Sequence, residues 1–162
     1  IVGGVVHTHS PYASTFAALG DPIPASHYLI AFAGDEVPVA GYERPGSEAL
    51  GERAAETMGT EYDACLLQNH GTITVGETVE AAFEVALMVE YCARIHYQAI
   101  SVGDPIILPD EEVDHLRSLF EGYGQHEFHY TARRSDVRGA SEQIVTDLGN
   151  TTQSEIFRLP SF

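Results

Sequence analysis

The sequence predicts an α/β fold, and three observations carry that prediction. Short apolar segments of strand length alternate with longer segments of helical period. Two of the apolar segments, 63–69 and 72–75, lie close enough to form a hairpin or tight strand pair. Several helical segments open on Ser, Thr or Asp, and most close on Gly, so their boundaries are marked. At 162 residues, one domain with a proper core is expected.

Residues 1–9, IVGGVVHTH, read as a buried strand. Ser10-Pro11 then suits a helix start, with Ser as N-cap and Pro in the first turn. The spacing predicts a short helix over 12–19, stopped by Gly20-Asp21-Pro22, and a second short apolar helix over 27–33, ended by Gly34. Residues 37–40 read as a strand interrupted by Pro38, hence an edge strand. Ser47 opens a helix to Met58, with Leu50, Ala54 and Met58 at helical spacing. The paired strands 63–69 and 72–75 follow, joined through His70-Gly71. Thr78 caps a long helix to about residue 100, with Ala82, Val85, Ala86, Val89, Ala93 and Ile100 on its apolar side. Asp110 opens a last helix through Phe120; Glu111 and Glu112 in its first turn favour the helix dipole. From His126 periodicity is lost. Residues 126–162 read as a C-terminal extension whose order the sequence leaves open.

Charge excludes several partners. Acids outnumber bases 24 to 8, all eight bases are Arg, and the net charge is −16. Such a surface repels nucleic acid and anionic membranes, so neither is an expected partner. A scattered acidic surface without Lys fits a halophilic source, where salt screens the self-repulsion. The absence of Lys removes Schiff-base chemistry, pyridoxal phosphate attachment and P-loop phosphate binding from these residues. Cys65 and Cys92 form no CxxC pair and sit in apolar surroundings, so buried thiols and a cytoplasmic location are expected.

His7 and His9 project to one face if residues 1–9 form a strand, because side chains alternate with period two. That spacing suits two imidazoles on one metal ion. It also suits two polar residues where a strand turns into a loop. His70, in LLQNHG, likewise follows an apolar strand and can face a cleft. Three His with an open fourth position is a catalytic zinc arrangement, in which the ion acts as a Lewis acid or lowers the pKa of bound water. His27 neighbours an apolar helix and can simply pack there, and His96, on the long helix, can be a surface residue. His115 falls on a polar helix face, and His126 and His129 fall in the extension.

VVHTHSPYASTFAALGDPIPASHYLI, EVPVAGYERPGSEAL, LLQNHGTITVG and DPIILPDEEVDHLRSLFEGYGQ together resemble the class II aldolase/adducin family, and within it the branch acting on fuculose-phosphate-like sugars. The resemblance covers residues 1–125 and implies a three-layer α/β/α domain around a largely antiparallel central sheet. It implies that His7, His9 and His70 bind Zn2+ or another divalent metal. Tyr28 matches a tyrosine that donates a proton to the aldehyde oxygen, and Tyr123 a second tyrosine of the active site. It further implies cleavage of a ketose 1-phosphate to dihydroxyacetone phosphate and an aldehyde, a small-molecule sugar phosphate substrate, and a homotetramer with shared active sites. Pentulose-phosphate 4-epimerases, methylthioribulose-phosphate dehydratases and adducin-like interaction modules share the family. The family's catalytic Glu and most of its phosphate loop precede the HxH motif, so the resemblance implies an N-terminally truncated domain with impaired aldol activity.

Overall fold

The computed structural model describes residues 2–123, with side chains as far as Phe120. The chain divides into two units, Ile1–Phe120 and Glu121–Phe162. The extension 126–162, with His126 and His129, lies outside the described residues, as does the side chain of Tyr123.

Strand β1 (Gly4–Thr8) leads into helix α1 (Pro11–Leu19). A two-residue strand β2 (Ile23–Pro24), a 3₁₀ helix (Tyr28–Phe32), β3 (Glu36–Val37) and β4 (Val39–Ala40) follow. Next come α2 (Glu48–Met58), β5 (Ala64–Leu67), β6 (Gly71–Gly76), the long α3 (Val79–Ile100) and α4 (Asp110–Tyr123). Ser47 and Thr78 cap α2 and α3 as their side chains predict, accepting from Leu50 N–H and Ala81 N–H.

The main sheet has the order β1-β6-β5-β4. β1–β6 and β5–β6 are antiparallel, whereas β4 runs parallel to β5, so the sheet is mixed rather than simply antiparallel. Pro38 marks a break beside the parallel edge. A proline cannot donate to a ladder, and the chain changes sheets there. Val37 pairs with Ile23 in a separate two-stranded sheet, and Val39 pairs with Leu66. The expected single edge strand 37–40 is therefore two strands. The apolar segment 27–33 is likewise one 3₁₀ turn rather than an α-helix.

Strand periodicity sorts β5 between two cores. Ala64 and Leu66 join α1 and α3 residues, including Phe16, Val85 and Val89, on one face. Cys65 and Leu67 meet Ala54 and Met58 of α2 on the other. This is an α/β architecture with helices on both sheet faces. Close approach of α3 to the sheet depends on Gly4, where an added Cβ would strike the Thr78 backbone. Among the described residues, no helix is long and apolar enough to cross a membrane.

Candidate metal centre

β1 delivers His7, and the extended residue just past its end delivers His9, by simple alternation. Gly4 is buried toward α3, while Val5, His7 and His9 are exposed along the strand. β1 pairs His7 with Ile73 and Thr8 with Thr72, which sets it beside the start of β6. His70 ends the three-residue loop between β5 and β6. Its N–H bonds to the Leu67 carbonyl at 2.9 Å, and Asn69 turns the chain with φ of 57°. Asn tolerates that left-handed conformation better than most residues. The loop is pinned from both sides. Gln68 N–H donates to the Ala40 carbonyl at 3.0 Å, and Asn69 N–H donates to the Ala17 carbonyl of α1 at 3.0 Å.

The result is a three-histidine cluster. His7, His9 and His70 each offer a ring nitrogen, and these atoms lie within 4.8 Å of one another. Ring centroids are 4.7–5.0 Å apart. His7 Nδ1 lies 2.9 Å from the Thr72 carbonyl. A carbonyl only accepts, so Nδ1 carries the proton and the neutral ring turns an Nε2 lone pair into the cluster. His7 Nε2 is 2.9 Å from His9 Nε2, a contact that needs His9 to supply the hydrogen. His70 Nδ1 is buried without a hydrogen-bond partner.

These features fit a divalent metal. Nitrogens sharing a tetrahedral zinc at about 2.0–2.1 Å stand roughly 3.3 Å apart. The closest pair here is slightly inside that figure and the widest outside it, so small side-chain adjustments suffice. Desolvation lowers the pKa of His7 most strongly, with the neighbouring His9 and His70 adding to it against the Thr72 hydrogen bond. Desolvation, then His9, lowers that of His70. Both shifts favour the neutral, metal-binding form. Among the described residues no carboxylate joins the cluster.

Gly71 makes the cluster possible. A Cβ there would collide with the Thr8 carbonyl and lie 2.8 Å from His9 Cδ2. The glycine of the QNHG segment is thus a spacing requirement. Thr72 and Asn69 were not among the residues singled out from sequence. Only Asn69-His70-Gly71 carried a local signal, a turn-forming Asn near a Gly.

The other predicted residues lie elsewhere. Tyr28 begins the 3₁₀ helix, is 46% exposed, and has His27 and Phe120 as its aromatic neighbours rather than the three histidines. Tyr123 closes α4. His96 is buried at 8% exposure beside Phe16 and bonds to Ser26 Oγ at 3.1 Å, so it is a core residue rather than a surface one. The thiols of Cys65 and Cys92 are pushed up to about 12 by burial, which leaves them inert.

Comparison with known proteins identifies the family. The family model for the class II aldolase and adducin N-terminal domain matches residues 1–97. The chain belongs to the class II aldolase/adducin family. It is 48% identical over 124 residues to the 5-deoxy-D-ribulose 1-phosphate aldolase of Bacillus thuringiensis serovar kurstaki, covering 76% of this chain and 58% of that protein. It is 35% identical over 122 residues to the L-fuculose phosphate aldolase of Escherichia coli K12, covering 74% and 56%. Among solved class II aldolase structures, an L-fuculose 1-phosphate aldolase superposes with a TM-score of 0.70 at 41% identity, covering 72% of this chain and 55% of that one. The chain therefore spans little more than half the length of the relatives it matches.

Proposed function

We propose that His7, His9 and His70 hold a catalytic zinc ion, or another divalent metal, for a lyase that cleaves a ketose 1-phosphate to dihydroxyacetone phosphate and an aldehyde. The convergence of three ring nitrogens within 4.8 Å carries this reading. The higher identity to the 5-deoxyribulose 1-phosphate enzyme favours that sugar over fuculose 1-phosphate as substrate. Cleavage of 5-deoxyribulose 1-phosphate between its third and fourth carbons would yield acetaldehyde as the second product.

A bound zinc ion supplies Lewis acidity toward the substrate carbonyl. The chain's own residues orient it. Thr72 fixes the His7 tautomer, and the two-apart spacing at the end of β1 sets His7 and His9 side by side, where both would serve as ligands. With no Lys in the sequence, the Schiff-base route is closed to these residues. Proton transfer needs a base, and the histidines are committed to the metal. We accordingly expect the three histidines to bind zinc and the base to be a group outside the cluster.

Tyr28 is read as the proton donor to the aldehyde oxygen, acting in the site of a neighbouring copy within a homotetramer, and Tyr123 as a second tyrosine of that site. Exposure of Tyr28, Phe83, Leu87 and Tyr91 supports an assembly of copies. The experiment is zinc titration of the purified chain, followed by a retro-aldol assay with both sugar phosphates. One zinc per chain, lost on His70→Ala, is the expected result. Absence of zinc binding would instead favour a non-catalytic, adducin-like interaction module. Preferential cleavage of 5-deoxyribulose 1-phosphate is the expected outcome, and preferential cleavage of fuculose 1-phosphate would overturn the choice of sugar.

A further inference from the structure

Helix α1 begins two residues after His9, and its first turn is satisfied in an unusual way. The first four N–H groups of a helix have no partner within it. Ser10 occupies the N-cap position but makes no side-chain cap bond; its Oγ instead lies 3.4 Å from Thr8 Oγ1. Pro11 has no N–H. The next two donors are taken from across the fold by Glu90 of α3. Glu90 Oε1 accepts from Tyr12 N–H at 3.0 Å, and Oε2 accepts from Ala13 N–H at 2.9 Å. Ser14 N–H bonds to the Ser10 carbonyl at 2.9 Å, which completes the turn. A carboxylate bridging two backbone donors at a helix N-terminus makes strong, charge-assisted bonds that also oppose the helix dipole.

The other end of α1 is also tied to the histidine cluster. Gly20 N–H and Asp21 N–H bond back to the Ala17 and Phe16 carbonyls, closing the helix with a left-handed glycine. The Ala17 carbonyl takes a second donor, the N–H of Asn69, next to His70. One short helix therefore abuts both metal-binding segments: covalently after His9 at its start, and by a hydrogen bond before His70 at its end. Its position along its own axis is fixed at the start by Glu90.

We propose that Glu90 is a positioning residue for the metal centre, setting the place of α1 and through it the separation of the His7–His9 pair from His70. This inference rests on the reading of the three histidines as metal ligands. With both oxygens engaged by backbone donors, Glu90 acts on the ligands' placement and not as a ligand or proton carrier.

The test is zinc affinity of the whole chain, measured by competition with a chromophoric chelator, alongside thermal unfolding of the chelator-treated protein. Residues that orient metal ligands without touching the ion commonly change affinity by about 10–100-fold. Glu90→Ala should weaken zinc binding by about tenfold or more. Glu90→Gln keeps one oxygen acceptor and should fall between it and the wild type. Ser47→Ala removes the cap of α2 and serves as the control for lost stability alone; it should leave affinity within about twofold. Unchanged affinity in Glu90→Ala, or a loss no greater than that of Ser47→Ala, overturns the inference. If Glu90→Ala does not fold, wild-type affinity in Glu90→Gln overturns it equally. Failure of the wild-type chain to bind zinc overturns the metal-centre reading itself, and the inference with it.

Discussion

Gly71 shows how tightly a single residue controls the candidate site. Its missing side chain is the space into which the Thr8 carbonyl and the His9 ring fit. Side-chain movement alone cannot accommodate Gly71→Ala, because the nearest atom it would meet, the Thr8 carbonyl oxygen, is backbone. The expected outcome is a loss of zinc affinity of about tenfold or more, as for a displaced ligand-orienting group, together with a lower melting temperature. Chelator competition and thermal unfolding check both. His96 offers a second test. Burial lowers its pKa from the ordinary value of 6.5, so the folded protein resists protonation that the unfolded chain accepts. Stability from this group is present above about pH 6.5 and is lost as pH falls below it. The melting temperature of the metal-free protein should therefore drop between about pH 7.5 and about pH 5.5, and drop less in His96→Gln. Equal slopes in the two proteins would count against it. At this scale the sequence was readable where chemistry is local. His7 and His9 share a face because a strand has period two; His96 reads from sequence as a surface residue, although it falls three residues after Ala93 on the apolar side of α3. Glu90 and Thr72 were not readable, because each acts on atoms far away in sequence.

Among the elements, α2 and α3 were legible because Ser47 and Thr78 are true caps and the apolar positions keep helical spacing. The connection between α1 and α2 was less so. β2, β3 and β4 have two residues each, too few for a periodic signal, and their pairing is decided by tertiary contacts. Pro38 announced a break but not that the chain would change sheets. β5 holds these parts together, since its alternate residues serve both cores. Leu66 is fully buried between the sheet and the α1–α3 layer. Leu66→Ala should cost about 2–5 kcal/mol in urea unfolding of the metal-free protein, the range for emptying a packed leucine site. A cost below about 1 kcal/mol would mean that the layer closes over the gap.

The whole molecule carries a net charge of −16, and the ion pairs found among the described residues join only partly exposed groups. Such pairs contribute little, so self-repulsion is the larger electrostatic effect. Raising KCl from about 0.1 M to about 1 M shortens the screening length from about 10 Å to about 3 Å. The melting temperature should rise over that interval. A flat or falling curve would rule out self-repulsion as a factor in stability. The mixed sheet adds a mechanical consequence. Among the described residues β1 stands at one edge of the main sheet, hydrogen-bonded to β6 alone, and it and the residue after its end carry two of the three histidines. The third sits on the loop that starts β6. A metal ion bound by all three would therefore rivet an outer strand to its neighbour across a long stretch of intervening chain. Amide exchange in β1 should slow on zinc addition more than in β5, which has partners on both sides.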